Sequence, residues 1–257
     1  MLHAKGMIQR SLNTLGIAVL PPLDAKLIEL PRLFRAPPLT PELVAAIRQI
    51  SPQFTLTASD RSREFWEAEQ NGACWGEYEA LSPLLQALGR PAKILEIGPG
   101  LGRSLVFFAK KLGWAHSEIH TYEGDGQVTR YTLLGPRFEY SFCGDLDSLR
   151  YVLRYNEVAN VTIFDAAEVQ LSKLPGPYDF IYSFYSVGFH WSLEHFLDDI
   201  LNLMGESALM VVTVPNEFEP FAELAKLPYR IIDWKTVWPA DRWLKLLVIG
   251  KSRLPSW

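Results

Sequence analysis

The sequence predicts an α/β fold: a seven-stranded, mostly parallel sheet with an antiparallel last strand, helices on both faces and an N-terminal helical extension. Three observations carry this reading. From Lys93 onward, short apolar runs alternate with helical patterns, the signature of successive β–α–β units. The first of these runs leads straight into three closely spaced glycines and then a helix. The last two runs, 229–234 and 243–249, are placed to pair as a hairpin-like couple.

Residues 1–58 read as an extension packed on the main domain, which occupies residues 59–257. Seven prolines between Pro21 and Pro52 divide the extension into short elements. One helix is expected there: Thr40 can cap it, Pro41 takes the first helical position, and Leu43, Val44, Ile47 and Ile50 follow at helical spacing. A helical stretch over 61–80 carries Phe65, Trp66, Trp75 and Tyr78, aromatic residues placed either to pack in the core or to close over a substrate. Asn71, Gly72 and Gly76 are expected to interrupt it, and Ser82-Pro83 to open a separate helix ending at Gly89. Strands are then expected at Lys93–Ile97, 118–122, 161–164, 178–184, 208–214, 229–234 and 243–249. Leu105, Phe108, Ala109 and Leu112 form the apolar face of a helix after the first strand, stopped by Gly113.

Composition narrows the function classes. The 257 residues are 48% hydrophobic and 21% charged, enough to fill the core of one large domain. The net charge of −4 argues against a nucleic-acid partner, which a basic surface would meet. Cys74 and Cys143 stand outside any CxxC pair and outside zinc spacing, so they read as free thiols of a reducing compartment, and a cytoplasmic location is expected. No run approaches the ~18–20 apolar residues of a membrane span. The apolar stretch at 15–20, behind Lys5 and Arg10, lacks the features of a signal peptide and reads as an accessory segment. Nothing in the sequence specifies an oligomeric state.

The most informative stretch is Lys-Ile-Leu-Glu-Ile-Gly-Pro-Gly-Leu-Gly-Arg-Ser, residues 93–104. Glycines at 98, 100 and 102 permit a sharp turn and the close approach of a ligand, and the helix that follows offers N–H donors to a negative group. The dinucleotide fingerprint needs a glycine or alanine at position 103, where this chain has Arg103, which would crowd the packing of helix on strand. A nicotinamide oxidoreductase is therefore disfavoured. Glu96-x-Gly98-x-Gly100-x-Gly102 instead resembles motif I of class I S-adenosylmethionine-dependent methyltransferases, a Rossmann-like superfamily whose sheet ends in an antiparallel strand.

The resemblance implies S-adenosyl-L-methionine as cofactor. It places Gly98, Pro99, Gly100, Leu101 and Gly102 beside the methionine part and has Glu96 help to position the ammonium group. Glu123 ends the second strand about 20 residues past the glycine loop, where a carboxylate can accept both ribose hydroxyls, with Gly124 next to it. Asp165 ends the third strand after an apparent insertion around 127–144; the resemblance gives its carboxylate the adenine amino group and the Ala166 N–H a ring nitrogen. An Asp there also suits a simple turn.

The fourth strand runs into Ser183-Phe-Tyr-Ser-Val-Gly-Phe-His-Trp191, beyond the carboxyl end where open α/β sheets bind ligands. Ser183 therefore joins the cofactor-side residues. The string lacks the Asp/Asn-Pro-Pro-aromatic motif of amino- and amide-directed relatives and is similar to bacterial sugar O-methyltransferases. A small-molecule or carbohydrate acceptor is implied. His190 is the candidate general base, since an imidazole with a pKa of ~6.5 suits proton removal from an alcohol. The alternative is a histidine that only packs or bonds to backbone. Glu194 and His195 read as surface groups. A metal-assisted variant would need acids after strands four and five; Glu194, Glu217 and Glu219 leave that set incomplete, and no metal is expected. The competing functional class is a non-catalytic scaffold that keeps the cofactor fold as a binding module.

Overall fold

Residues on alternate sides of a strand bury different faces, so a strand covered on both sides must be apolar throughout. Strand β1 (Lys93–Ile97) is buried at every residue after Lys93 and apolar there except at Glu96. The computed structural model describes residues 20, 25–50, 56–124, 144–189, 191–235 and 243–255. In it β1 pairs in parallel with β2 (Glu118–Glu123) on one side and β4 (Tyr178–Ser183) on the other. With β3 (Val161–Asp165), β5 (Met204–Val214), β6 (Tyr229–Lys235) and β7 (Trp243–Gly250), the sheet has the order β3-β2-β1-β4-β5-β7-β6. β7 lies antiparallel between β5 and β6. This is the expected Rossmann-like architecture, and its order reverses between β1 and β4, which puts a crevice at their carboxyl ends.

One face of the sheet, including Ile94, Ile119, Phe180, Tyr182 and Val211, forms a core with α3 (Asp60–Leu88), α4 (Arg103–Leu112) and α5 (Leu146–Tyr155). The other face, including Leu95, Ile97, Ile181, Met210 and Val212, packs against α6 (Leu193–Leu203). The extension adds α1 (Ala25–Glu29) and α2 (Pro41–Ile50), the latter capped by Thr40, whose hydroxyl accepts the Leu43 N–H at 3.2 Å. Among the described residues no helix is long and apolar enough to cross a membrane.

Two expectations are corrected. The helix expected to break at Asn71, Gly72 and Gly76 and restart at Ser82 is one continuous element of 29 residues, α3. Tertiary contacts override the local signals. Asn71 spends its amide on the extension, accepting the Leu33 and Phe34 N–H groups and donating to the Phe34 carbonyl, while Gly72 gives room to Leu27. Pro83 removes one helical donor, and the Ser82 hydroxyl donates to the orphaned Glu79 carbonyl at 3.2 Å instead. β5 begins four residues early, at Met204, because α6 passes into it without a loop; Gly205, Glu206 and Ser207 hid that start from a hydropathy reading.

Candidate active site

The glycine turn sits at the carboxyl end of β1, in the crevice where the strand order reverses. Gly98, Gly100 and Gly102 all have positive φ, at 70°, 57° and 77°. At Gly98 the requirement is doubled: a Cβ would lie 2.1 Å from the Ser186 Oγ, so the loop after β4 rests directly on the turn. At Gly102 a Cβ would meet Leu149 Cδ1 at 2.8 Å, so this glycine lets α5 pack close against the turn. Pro99 accepts the Gly102 N–H at 2.8 Å and Leu101 is buried, so the turn is internally braced.

Glu96 lies behind the turn, 1% exposed. Its carboxyl accepts the Ser104 hydroxyl at one oxygen and the Tyr182 hydroxyl, at 3.1 Å, at the other. Burial pushes its pKa up to about 8, against the pull of those two hydrogen bonds, which favour the ionised form.

Glu123, 3% exposed, turns its carboxylate to the same crevice. Oε2 accepts the Gly100 N–H at 2.7 Å and Oε1 the Gly124 N–H at 2.9 Å. Each oxygen keeps a second lone pair. Burial raises this group to about 7, opposed by the two backbone donors. Gly144 closes the back of the side chain, where a Cβ would stand 2.7 Å from the Glu123 Cδ. Asp165, paired with Glu123 across β2 and β3, accepts the Ala167 N–H through Oδ1 at 2.8 Å, the turn-forming role its residue type also allows. The Ala166 N–H donates to the Glu123 carbonyl at 2.8 Å. That bond extends the β2–β3 pairing by one residue beyond Asp165.

The loop after β4 is ordered by its own hydrogen bonds. Ser183 is fully buried and its hydroxyl oxygen accepts the Val187 N–H at 2.9 Å, which braces the start of the loop. Ser186 O accepts the Phe189 and Trp191 N–H groups, and Tyr185 holds a left-handed φ of 63°. His190, between Phe189 and Trp191, lies outside the described residues, as do residues 1–19, Cys143 and most of the 127–144 insertion. Glu194 and His195 are exposed on α6. Among the described residues no three His, Cys, Asp or Glu side chains gather as metal ligands. Phe65 and Trp66 are buried in the core, which settles them as packing residues.

A family profile described as a methyltransferase domain matches residues 65–246, well over half of the chain. The chain belongs to this methyltransferase family. Its fold is similar to precorrin-6y C5,15-methyltransferase from Geobacter metallireducens, at 16% identity over 68% of this chain and 88% of that one, with a TM-score of 0.45. It is also similar to a methyltransferase from Pyrococcus furiosus, at 15% identity over 70% and 83% of the two chains, TM-score 0.48. No curated protein sequence matches the chain.

The methyltransferase also holds a polar cluster that the sequence reading did not find. Arg103, the first residue of α4, turns toward α3, not into the helix–strand contact. Its Nη1 donates to Glu77 Oε2 at 3.0 Å and its Nη2 to Glu77 Oε1. Nη1 also donates to Cys74 Sγ at 3.1 Å, and the guanidinium stands over the Tyr185 ring, 5.6 Å from its centroid. Glu77 is 0% exposed, so the pair is buried. Desolvation works against the Arg103 charge, but Glu77 and Cys74 outweigh it and hold the guanidinium ionised. Burial pushes the Cys74 thiol up to about 12, so it is not a nucleophile. Glu77 and Arg103 are 26 residues apart with no shared motif, and Glu77 is one of eight charged residues on α3, so nothing local marked it.

Proposed function

We propose that this methyltransferase uses S-adenosyl-L-methionine and methylates a hydroxyl of a small acceptor such as a sugar or glycan. The observation that carries the cofactor reading is the joint between turn and carboxylate. The Gly100 and Gly124 N–H groups each hold one oxygen of Glu123, and the remaining lone pairs suit the two adjacent hydroxyls of a ribose. The residues present thus fit the group: a turn with glycine at 98, 100 and 102, a fixed acceptor at Glu123 beside Gly124, and Asp165 one strand further along for the adenine end. When bound, the cofactor supplies an electrophilic methyl on a sulfonium.

The rest falls to the chain's own residues. Glu123 fixes the ribose, and the turn holds the amino-acid end close to the β4 loop. His190, on that loop, takes the proton of the acceptor hydroxyl as its oxygen attacks. Phe189 and Tyr185 of the same loop, part-exposed and edge to face at 5.6 Å, supply aromatic surfaces on which the C–H faces of a sugar can rest. The free, buried Cys74 accords with a reducing, cytoplasmic setting. The test is a screen with methyl-labelled cofactor against nucleotide sugars and glycans, with small amines and simple alcohols alongside. Label on a sugar oxygen is expected; label only on amines would overturn the acceptor assignment.

A further inference from the structure

We propose that Arg103 is a further cofactor-binding residue, receiving the carboxylate at the amino-acid end of the cofactor; this rests on the cofactor reading above. A guanidinium carries five N–H donors in one plane. Glu77 takes the inner pair on the edge between Nη1 and Nη2, and Cys74 takes the outer N–H of Nη1. The two that remain, on Nε and the outer position of Nη2, lie side by side on a single edge. Among the described residues nothing accepts from them. That edge has the spacing of a carboxylate, and a charged, two-point hydrogen bond is the strongest contact a planar fork makes.

Placement supports the assignment. Arg103 follows Gly102 directly, so its side chain starts at the glycine turn, reaches Glu77 and Cys74 on α3, and lies against the Tyr185 ring of the β4 loop. It remains 16% exposed although its partner Glu77 is sealed. The Tyr185 ring covers one face of the guanidinium, which leaves in-plane approach to the open edge. Tyr185 itself holds a left-handed backbone that costs an L-residue about 1–2 kcal/mol, a strain that persists only where the surroundings fix it. Glu77 thus orients the fork, and the fork meets the ligand.

The test compares two ligands by calorimetry. S-adenosylhomocysteine carries the amino-acid end; 5′-methylthioadenosine has the same adenosine and sulfur without it. Arg103→Lys keeps a cation against Glu77 but removes the fork. It should weaken S-adenosylhomocysteine binding about 10- to 100-fold and change methylthioadenosine binding by less than about 2-fold. Glu77→Gln combined with Arg103→Gln, which leaves no buried charge unpaired, should give the same contrast. Unchanged S-adenosylhomocysteine affinity, or parallel losses for both ligands, would show a purely structural ion pair and overturn the assignment. Binding of neither ligand by the wild type would instead remove the cofactor reading itself.

Discussion

Replacing Gly98 by alanine separates two reasons for a glycine that are usually confounded. The first is conformational: at φ 70° an L-residue pays about 1–2 kcal/mol. The second is steric: the new Cβ would stand 2.1 Å from Ser186 Oγ and 2.3 Å from Ser186 Cβ, and forcing extra volume into a packed contact costs typically ~1–3 kcal/mol. Gly98→Ala should therefore destabilise the fold by about 2–5 kcal/mol, the sum of those two ranges. Gly113→Ala provides the conformational part alone, because Gly113 has φ 64° and no atom within 4 Å of a built Cβ; about 1–2 kcal/mol is expected. Adding Ser186→Gly to Gly98→Ala should recover ~1–3 kcal/mol in a double-mutant cycle. Urea unfolding followed by circular dichroism measures all four variants. Equal costs at Gly98 and Gly113, or strictly additive effects of Gly98 and Ser186, would refute the packing of the β4 loop on the turn.

Three further outcomes follow from the same geometry. Glu123→Ala should weaken S-adenosylhomocysteine binding by roughly 1–3 kcal/mol, measured by calorimetry, since two hydroxyls lose a charged acceptor; wild-type affinity would remove the ribose assignment. The Glu96 carboxyl titrates near 4.5 when unfolded and about 8 when folded, so between those values the native state binds the extra proton and stability falls as pH rises. Glu96→Gln should abolish that part of the slope, gaining on wild type by up to ~1.4 kcal/mol per pH unit in urea titrations between pH 5 and pH 8, whereas parallel curves would contradict it. His190→Ala should lower turnover by about 10²–10⁴-fold with cofactor affinity nearly unchanged, and the pH–rate profile should lose its acidic limb. A drop in cofactor binding as the main effect would make His190 a packing residue.

What the sequence disclosed, and what it withheld, follow from how far each signal reaches. The inner strands β1, β2, β4, β5 and β7 were readable because a strand buried on both faces is a short, bounded apolar run, and the hairpin of β6 and β7 lies within one stretch of chain. The turn and Glu123 were readable because their spacing is local: one strand, one turn, one helix and the next strand. Where tertiary contacts decide, local reading failed. Asn71 and Pro83 signal breaks in isolation, yet both sit inside α3 because the extension and Ser82 satisfy the groups they disturb. Arg103 looked like a packing fault until Glu77, a partner from a preceding helix, was in view. The hydrogen bonds of the Ser183 hydroxyl with the Val187 N–H and of the Ala166 N–H with the Glu123 carbonyl are likewise contacts that no local pattern announces. Gly144 carried no signal at all, since the carboxylate it covers comes from the other side of an insertion.

The central claim is that the crevice between β1 and β4 binds S-adenosylmethionine rather than a nicotinamide dinucleotide. Titration calorimetry with S-adenosylhomocysteine and with NAD tests it most directly. The account predicts saturable one-to-one binding of S-adenosylhomocysteine, weakened by Glu123→Ala, and no heat from NAD. Saturable NAD binding that Glu123→Ala abolishes, with none for S-adenosylhomocysteine, would contradict it.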